Sequence, residues 1–198
     1  MQFCLKKIRY HALSVSKTLS AFYKAIIIFW KSPNRKALRI PVKALAPTSS
    51  GYAKLLLKTR NNWAQKPKNI FYKGNPSVLK TKPKIAVIGS RCMTNYGELM
   101  LKKFIPHLAK EGCAIVSGGA FGIDITAQKI AKIYNTPLIT VLGSGLNNPA
   151  PSSNAWFFED LARYNKGLLI SEYPDNYPAT KYTFPQRNRL IAAIADVI

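Results

Sequence analysis

The sequence predicts an α/β protein with a Rossmann-like, doubly wound parallel sheet. Short continuous apolar runs, such as KIAVIGS and CAIVSGG, alternate with stretches of helical periodicity in the second half of the chain. Parallel strands buried on both faces read as continuous apolar runs, and each return between them needs a crossover helix. Glycine or serine follows most of these runs, as is typical of the turns at the ligand-binding edge of such a sheet.

The first predicted strand, KIAVIGS, begins at Lys84 and is followed by a helix of about four turns, NYGELMLKKFIPHLAKEG. Asn95 is the expected N-cap of this helix, and Gly112 stands at its C-terminal end. CAIVSGG from Cys113 is the second strand, and FGIDITAQKIAKIYN the second helix.

PLITVLGSG is the third predicted strand. The third helix lies in SSNAWFFEDLARYNKG, where Ser152, Ser153 or Asn154 is the cap. LLISEY gives the fourth strand and QRNRLIAAIA the fourth helix. DVI, from Asp196, begins a fifth strand at which the sequence stops, so the predicted sheet is truncated at its C-terminus.

Charge divides the chain into two parts. The protein has 30 Lys+Arg and 8 Asp+Glu, a net charge of +22, and residues 1–84 contain 19 Lys+Arg without any Asp or Glu. Such a charge favours polyanionic partners. We therefore predict a basic N-terminal arm over residues 1–68, partly helical through an amphipathic stretch at 12–31, and a Rossmann-like domain over residues 69–198.

Several classes of site and location are disfavoured. Cys4, Cys92 and Cys113 lie too far apart in sequence for a zinc site or a disulfide framework. The longest apolar run, AIIIFW, has only six residues, far fewer than the ~20 that a membrane-spanning helix needs. We expect a cytoplasmic protein with no membrane span, no metal and no cofactor.

The loops that follow the predicted strands are the candidate site. Ser90 and Arg91 follow the first strand, and Gly118 and Gly119 follow the second. Free backbone amides at helix N-termini bind anions, and an arginine at the rim of such a loop suits phosphate. The alternative is that these glycines serve only the tight turns between strand and helix.

The segment KYTFPQRNR before the last helix interleaves cations with aromatic rings. It contains Lys181, Phe184 and Arg187, and such a mixture suits an unpaired nucleic-acid strand, because cations hold the backbone while rings stack on bases. Alternatively, Phe184 belongs to the core and the arginines are solvated or pair with Glu172 or Asp124. We expect Asp124 itself to accept backbone N–H groups and not to act as a catalyst.

The second half resembles, in the order and spacing of its motifs, the DNA-processing protein A family, also called Smf. The matching motifs, from about Phe71 to Ile198, are FYKGNPSVL, KIAVIGSR, NYG, VSGGAFGIDITAQ, VLGSGLN, LLISEYP and FPQRNRLIAAIAD. The resemblance implies a Rossmann-like domain that binds single-stranded DNA in a basic pocket. It also implies a role in natural transformation, competence and DNA recombination, in which the RecA recombinase is loaded onto incoming strands without a catalytic step.

Carried over position by position, the resemblance implies that Arg91 and Lys181 hold phosphates, that the amides of the glycine pair hold another, and that Phe184 stacks on a base. The implied pocket comprises Ser90, Arg91, Gly118, Gly119, Lys181, Phe184, Arg187 and Asn188. Family members are generally homodimers, with contacts drawn largely from a part of the domain that would follow Ile198.

Two other functions stay open. Nucleotide phosphoribohydrolases similar to the LOG proteins share the glycine pair, but their catalytic glutamate lies in a PGGxGTxxE loop that this sequence lacks. In the other alternative, the basic N-terminal part acts alone as an RNA or membrane-surface tether, and the domain is an inert remnant. Arg91→Ala separates this alternative from a DNA pocket, because an arm-dominated protein would not respond to it.

Overall fold

The computed structural model describes residues 40–45, 67 and 69–198. Residues 1–39 and 40–198 fall into two units, and the elements below belong to the second. The helix expected at residues 12–31 lies outside the described residues. Residues 43–45, within the predicted arm, form a strand, and the proposed division at residue 68 stays a prediction.

The described strands form one mixed sheet. They are β1 (Lys43–Leu45), β2 (Ile70–Gly74), β3 (Lys84–Ala86), β4 (Ala114–Ser117), β5 (Leu138–Leu142) and β6 (Gly167–Ser171). Their spatial order is β1-β2-β6-β5-β4-β3. β3, β4, β5 and β6 are parallel neighbours, which confirms the predicted parallel core.

β1 and β2 were not predicted as strands. Both pairings they make, β1 with β2 and β2 with β6, are antiparallel, so the sheet is mixed and not wholly parallel. Lys73 interrupts the apolar pattern of β2, yet it is only 3% exposed. Its ammonium donates to the carbonyl oxygen of Leu146 at 3.1 Å and lies 3.7 Å from Glu159. Burial of a lysine with such distant partners leaves no local sequence signal.

Four helices among the described residues cover the two faces of the sheet. They are α1 (Asn95–Lys110), α2 (Ile123–Ile133), α3 (Ala155–Arg163) and α4 (Thr183–Ile194). One core cluster joins α1, α2 and α3 to one face, and a second joins α4 to the other. Helices on both faces of a largely parallel sheet confirm the doubly wound, Rossmann-like fold.

The caps differ in detail from those expected. Thr94, and not Asn95, is the N-cap of α1, because its hydroxyl oxygen accepts from the amide of Gly97 at 3.1 Å. A threonine in extended conformation satisfies a free amide of the first turn as well as asparagine does. Asn154 precedes α3, but its side chain donates to the carbonyl oxygen of Gly119 instead of capping the helix.

The last residues lie on the outer side of β3. Val197 forms a parallel bridge with Ile85, and the amide of Ala86 donates to the carbonyl oxygen of Val197 at 2.8 Å. This single bridge lies where the sequence predicts a further parallel strand from Asp196, although the described residues form no strand there. The strand order therefore reverses at β3, and open α/β sheets bind ligands beside such a reversal.

Candidate nucleic-acid interface

The carboxyl ends of the parallel strands meet at one edge, here called the rim and defined by residues 89–91, 118–122, 143–145 and 180–188. Asp124, in the first turn of α2, joins two of these loops. Its carboxylate accepts from the amide of Gly89 at 3.2 Å and from the amide of Gly118 at 3.1 Å. The expectation that Asp124 accepts backbone N–H groups is confirmed, and the β3 and β4 loops are held as one body.

Arg187, in α4, joins the helix to the ends of β4 and β5. It is 5% exposed, and its guanidinium donates to the carbonyl oxygens of Gly118 and Val141. Its Nε donates to the side-chain oxygen of Asn188 at 3.1 Å. Burial lowers the pKa of Arg187, and nearby Arg91 acts in the same direction, whereas Asp124 raises it. The guanidinium therefore has its partners inside the protein, and Asn188 helps to orient it.

Arg91 and Phe184 meet although they are 93 positions apart in sequence. The guanidinium carbon of exposed Arg91 lies 5.2 Å from the centroid of the Phe184 ring, within cation–π range. Phe184 is half-buried, and a Cβ atom at Gly143 would lie 3.2 Å from its ring. The ring thus packs on the end of β5 and presents the arginine at the rim, so Phe184 is not wholly a core residue.

Lys181 stands exposed at the entrance to α4. Its ammonium lies 5.0 Å from the centroid of the Tyr182 ring. The turn beneath it is fixed by Thr180 and Thr183, because the amide of Thr180 donates to the hydroxyl oxygen of Thr183 at 3.0 Å, and that hydroxyl donates to the carbonyl oxygen of Thr180 at 3.0 Å. The rim therefore has two exposed cations, Arg91 and Lys181, each beside an aromatic ring.

The glycine pair is more deeply placed than the sequence suggests. Gly118 and Gly119 are both buried, and the amide of Gly118 is engaged by Asp124. A Cβ atom at Gly118 would lie 2.5 Å from the guanidinium nitrogens of Arg187. A side chain at Gly118 would therefore displace the guanidinium of Arg187, and a phosphate held by this pair of amides stays a prediction.

Ser90 turns its hydroxyl back onto its own loop. The hydroxyl oxygen accepts from the amide of Cys92 at 3.1 Å, and the hydroxyl donates to the carbonyl oxygen of Cys92 at 3.0 Å. The carbonyl oxygen of Ser90 accepts from the amide of Ile123 at 3.1 Å. Ser90 therefore shapes the loop that carries Arg91, and its exposed position leaves a direct DNA contact as a prediction.

Arg189 lies apart from the exposed cations. It forms a salt bridge with Glu172, as one of the sequence alternatives proposed. Burial raises the pKa of Glu172, and the charge of Arg189 counteracts that rise. This pair links α4 to the residue that follows β6, so it positions the helix and adds no free charge to the rim.

Two further rings at the rim are not among the residues of the sequence-derived pocket, although Tyr182 belongs to the segment KYTFPQRNR, in which cations alternate with rings. Phe121, in the loop before α2, is 48% exposed, and Tyr182 is 68% exposed. The sequence signal for Phe121 is an aromatic residue next to Gly122 inside a predicted strand-to-helix turn. Among the described residues no group of three His, Cys, Asp or Glu side chains could hold a metal ion. No helix in this part of the chain is long and apolar enough to cross a membrane.

The profile of the family described as DNA recombination-mediator protein A matches residues 43–198. Protein Smf of Escherichia coli is 41% identical over 111 residues, which are 56% of this chain and 29% of that protein. The matched part of this chain therefore covers less than a third of that relative.

Two solved structures are similar to the fold described above. The X-ray structure of DNA processing protein A from Streptococcus pneumoniae superposes with a TM-score of 0.69 at 33% identity, covering 81% of this chain and 53% of that one. DNA processing protein A from Helicobacter pylori, whose structure was described for its single-stranded DNA binding mode, gives a TM-score of 0.67 at 29% identity. That match covers 80% of this chain and 68% of the other.

Proposed function

This chain belongs to the DNA recombination-mediator protein A family, and on that basis we propose that it binds single-stranded DNA at the rim and serves recombination in natural transformation. The observation that carries the proposal is the contact between Arg91 and Phe184, which brings a cation and a ring from distant parts of the chain to one exposed place. Single strands are bound by this combination of charge and stacking.

Arg91 and Lys181 have the roles of phosphate ligands. Both are exposed and lie beside rings, so each head group can turn to a phosphate while its stem stays packed. The N-terminus of α2 faces the same edge, and its dipole favours negative charge there. Arg187 supports them from inside, because its guanidinium fixes the carbonyl oxygens at the ends of β4 and β5.

Phe184 has two roles in this proposal. Its ring positions Arg91 in the DNA-free protein, and its exposed part provides a surface on which a base stacks. Stacking accepts any base, since every base has a π-face, so we expect little sequence preference. Ser90, Gly118, Gly119 and Asn188 shape the loops around this centre through their backbone and side-chain contacts.

The test measures the binding of oligo-dT to the full chain by fluorescence anisotropy over a range of salt concentrations. Each phosphate neutralised contributes about 0.7 to the slope of log affinity against log salt for single strands. Arg91→Ala and Lys181→Ala should each weaken binding and reduce that slope. Lys103→Ala is the matched control, because Lys103 is an exposed lysine in the middle of α1.

An unchanged affinity and salt slope in both Arg91→Ala and Lys181→Ala would contradict the proposal. That result would favour a protein whose basic N-terminal segment binds nucleic acid or membrane on its own. Residues 1–84 contain 19 Lys and Arg residues and no Asp or Glu. A loss in Lys103→Ala equal to that in Arg91→Ala would show that only net charge matters.

We propose a role for the bound strand on the basis of the family. Its description as a recombination mediator supports the proposal that the protein delivers single-stranded DNA to a recombinase of the RecA type in the cytoplasm, without a catalytic step of its own. The measurement is the lag of RecA filament assembly on single-stranded DNA, which the full chain should shorten and Arg91→Ala should restore. Homodimer formation stays a prediction, and sedimentation of the full chain tests it.

A further inference from the structure

Two exposed rings flank the centre formed by Arg91 and Phe184. Phe121 lies in the β4 to α2 loop, and Tyr182 lies just before α4. A single exposed ring is ordinary on a protein surface. These two are distinguished by their neighbours, because Tyr182 carries the ammonium of Lys181 over its face, and Phe121 precedes the residue that packs against the backbone of Arg91.

The backbone beside Phe121 is fixed against the β3 loop. Gly122 has a φ of +71°, and a Cβ atom there would lie 2.2 Å from the carbonyl oxygen of Ser90 and 2.6 Å from that of Arg91. The next amide, of Ile123, donates to the carbonyl oxygen of Ser90. No side chain larger than glycine fits at position 122, so Phe121 is held beside the loop that carries Arg91 while half of its ring remains open to solvent.

Tyr182 lies in the segment of the rim that leads into α4. The adjoining Thr183 contacts the end of β5, since a Cβ atom at Gly143 would lie 3.3 Å from the carbonyl oxygen of Thr183. That same oxygen lies 3.5 Å from the hydroxyl of Tyr173, two residues beyond β6. The rings therefore lie near the strand ends, with Tyr182 just before α4, Phe184 over the end of β5, and Phe121 after β4 beside the β3 loop.

We propose that Phe121 and Tyr182 are additional stacking positions, so that an unpaired DNA strand crosses the strand ends over three rings in the order Tyr182, Phe184, Phe121. This inference rests on the proposed function. Four adjacent parallel strands, spaced about 4.8 Å apart, span roughly 14 Å at the rim. The exposed cations alternate with the rings along this path, with Lys181 beside Tyr182 and Arg91 between Phe184 and the Phe121 loop.

The length of the DNA distinguishes a three-ring path from a single central pocket. Single-strand sites on other folds cover ~4 to 16 nucleotides, so we compare oligo-dT of about 4 and about 12 nucleotides on the full chain by fluorescence anisotropy. Phe121→Ala should lower the affinity for the longer oligonucleotide by about fivefold or more. The shorter one, which the central residues can hold alone, should lose less. Tyr182→Ala should show the same dependence on length.

Two substitutions separate stacking from apolar contact. Phe121→Leu keeps an apolar side chain but removes the ring, and it should lose as much affinity as Phe121→Ala. Phe121→Trp should retain the affinity of the unmodified protein. Phe104→Ala is the matched control, since Phe104 is a 56% exposed phenylalanine on α1, about 14 Å along the helix axis from Asn95, and it should leave binding unchanged.

The outcomes separate this inference from the proposed function. If Phe121→Ala and Tyr182→Ala bind the longer oligonucleotide as the unmodified protein does, while Arg91→Ala weakens it, the three-ring path is wrong and the central site stands. If Phe121→Leu keeps full affinity, stacking at that position is wrong. If Arg91→Ala also has no effect, the proposed function itself fails. The midpoint of urea unfolding, measured for each variant, shows whether a loss comes from misfolding.

Discussion

The rim and the corner where β2 joins β6 each enclose a buried cation, and the two cations differ in what they hold. Arg187, at the rim, donates to backbone carbonyl oxygens at the ends of β4 and β5. Lys73, at the corner, reaches the carbonyl oxygen of Leu146 and lies near Glu159. The first cation sets the shape of the candidate site, whereas the second attaches an antiparallel strand to the sheet.

This difference shows that burial of a charge does not by itself indicate function. Both side chains are at most 5% exposed, and both are satisfied by partners far away in sequence. What separates them is the neighbourhood: Arg187 lies behind exposed Arg91 and under Gly118, while Lys73 lies under α3. Substitution of the buried cation at the rim should therefore change stability and DNA binding together, and substitution of the one at the corner should change stability alone.

The largest effect is expected for Arg187→Met. It leaves the carbonyl oxygens of Gly118 and Val141 buried without their donor, and each such group costs about 1 to 3 kcal/mol. The free energy of unfolding, measured in urea, should fall by roughly 2 to 5 kcal/mol, and oligo-dT binding should weaken under conditions where the variant is folded. A folded Arg187→Met protein with unchanged affinity would show that Arg187 has no part in shaping the site.

A smaller effect is expected for Gly118→Ala. The new Cβ atom would lie 2.5 Å from the guanidinium nitrogens of Arg187, so the guanidinium must shift, at a cost of about 1 to 3 kcal/mol. Gly112→Ala is the control for a loss of stability away from the rim: its φ is +68°, so the alanine is strained, but nothing lies within 4 Å of the added atom. Gly118→Ala should weaken oligo-dT binding, and Gly112→Ala should not. If both variants change the affinity for oligo-dT equally, Gly118 has no specific part in the site.

The smallest effect is expected for Lys73→Met. It removes the hydrogen bond to Leu146 and the ion pair with Glu159, but the Glu159 side chain is 36% exposed and its other carboxylate oxygen lies 3.8 Å from Arg163. We expect a loss of about 1 kcal/mol in the free energy of unfolding and unchanged affinity for oligo-dT. A fall in affinity as large as that of Arg187→Met would remove the distinction between the rim and the corner.

The same contrast explains how far the sequence could predict the structure. The parallel strands β3 to β6 and the four described helices follow from apolar runs and helical periodicity, because those patterns are local. β2 could not be predicted, since its Lys73 is buried only through Leu146 and Glu159, which are distant in sequence. β1 could not be predicted either, because it has only three residues in a segment rich in proline. It forms a strand through its pairing with β2.

The candidate site shows the same limit. That Arg91, Gly118 and Phe184 approach one another could be anticipated, because residues after parallel strands meet at one edge. The inward orientation of Arg187 could not be anticipated, because its acceptors are main-chain carbonyl oxygens. Every residue has such an oxygen, so the sequence does not indicate which ones Arg187 binds. Phe121 was overlooked because an aromatic residue in an otherwise apolar motif is more often part of the core.

Asp124 gives the rim a property beyond its shape. Because one carboxylate binds the amides of Gly89 and Gly118, the loop that bears Arg91 cannot move independently of the loop that bears Phe121. A DNA strand that arrives there meets groups whose spacing is already set, so little loop entropy is lost on association. The affinity for DNA at this edge then depends on how well the spacing of the nucleotides matches the fixed spacing of the two loops.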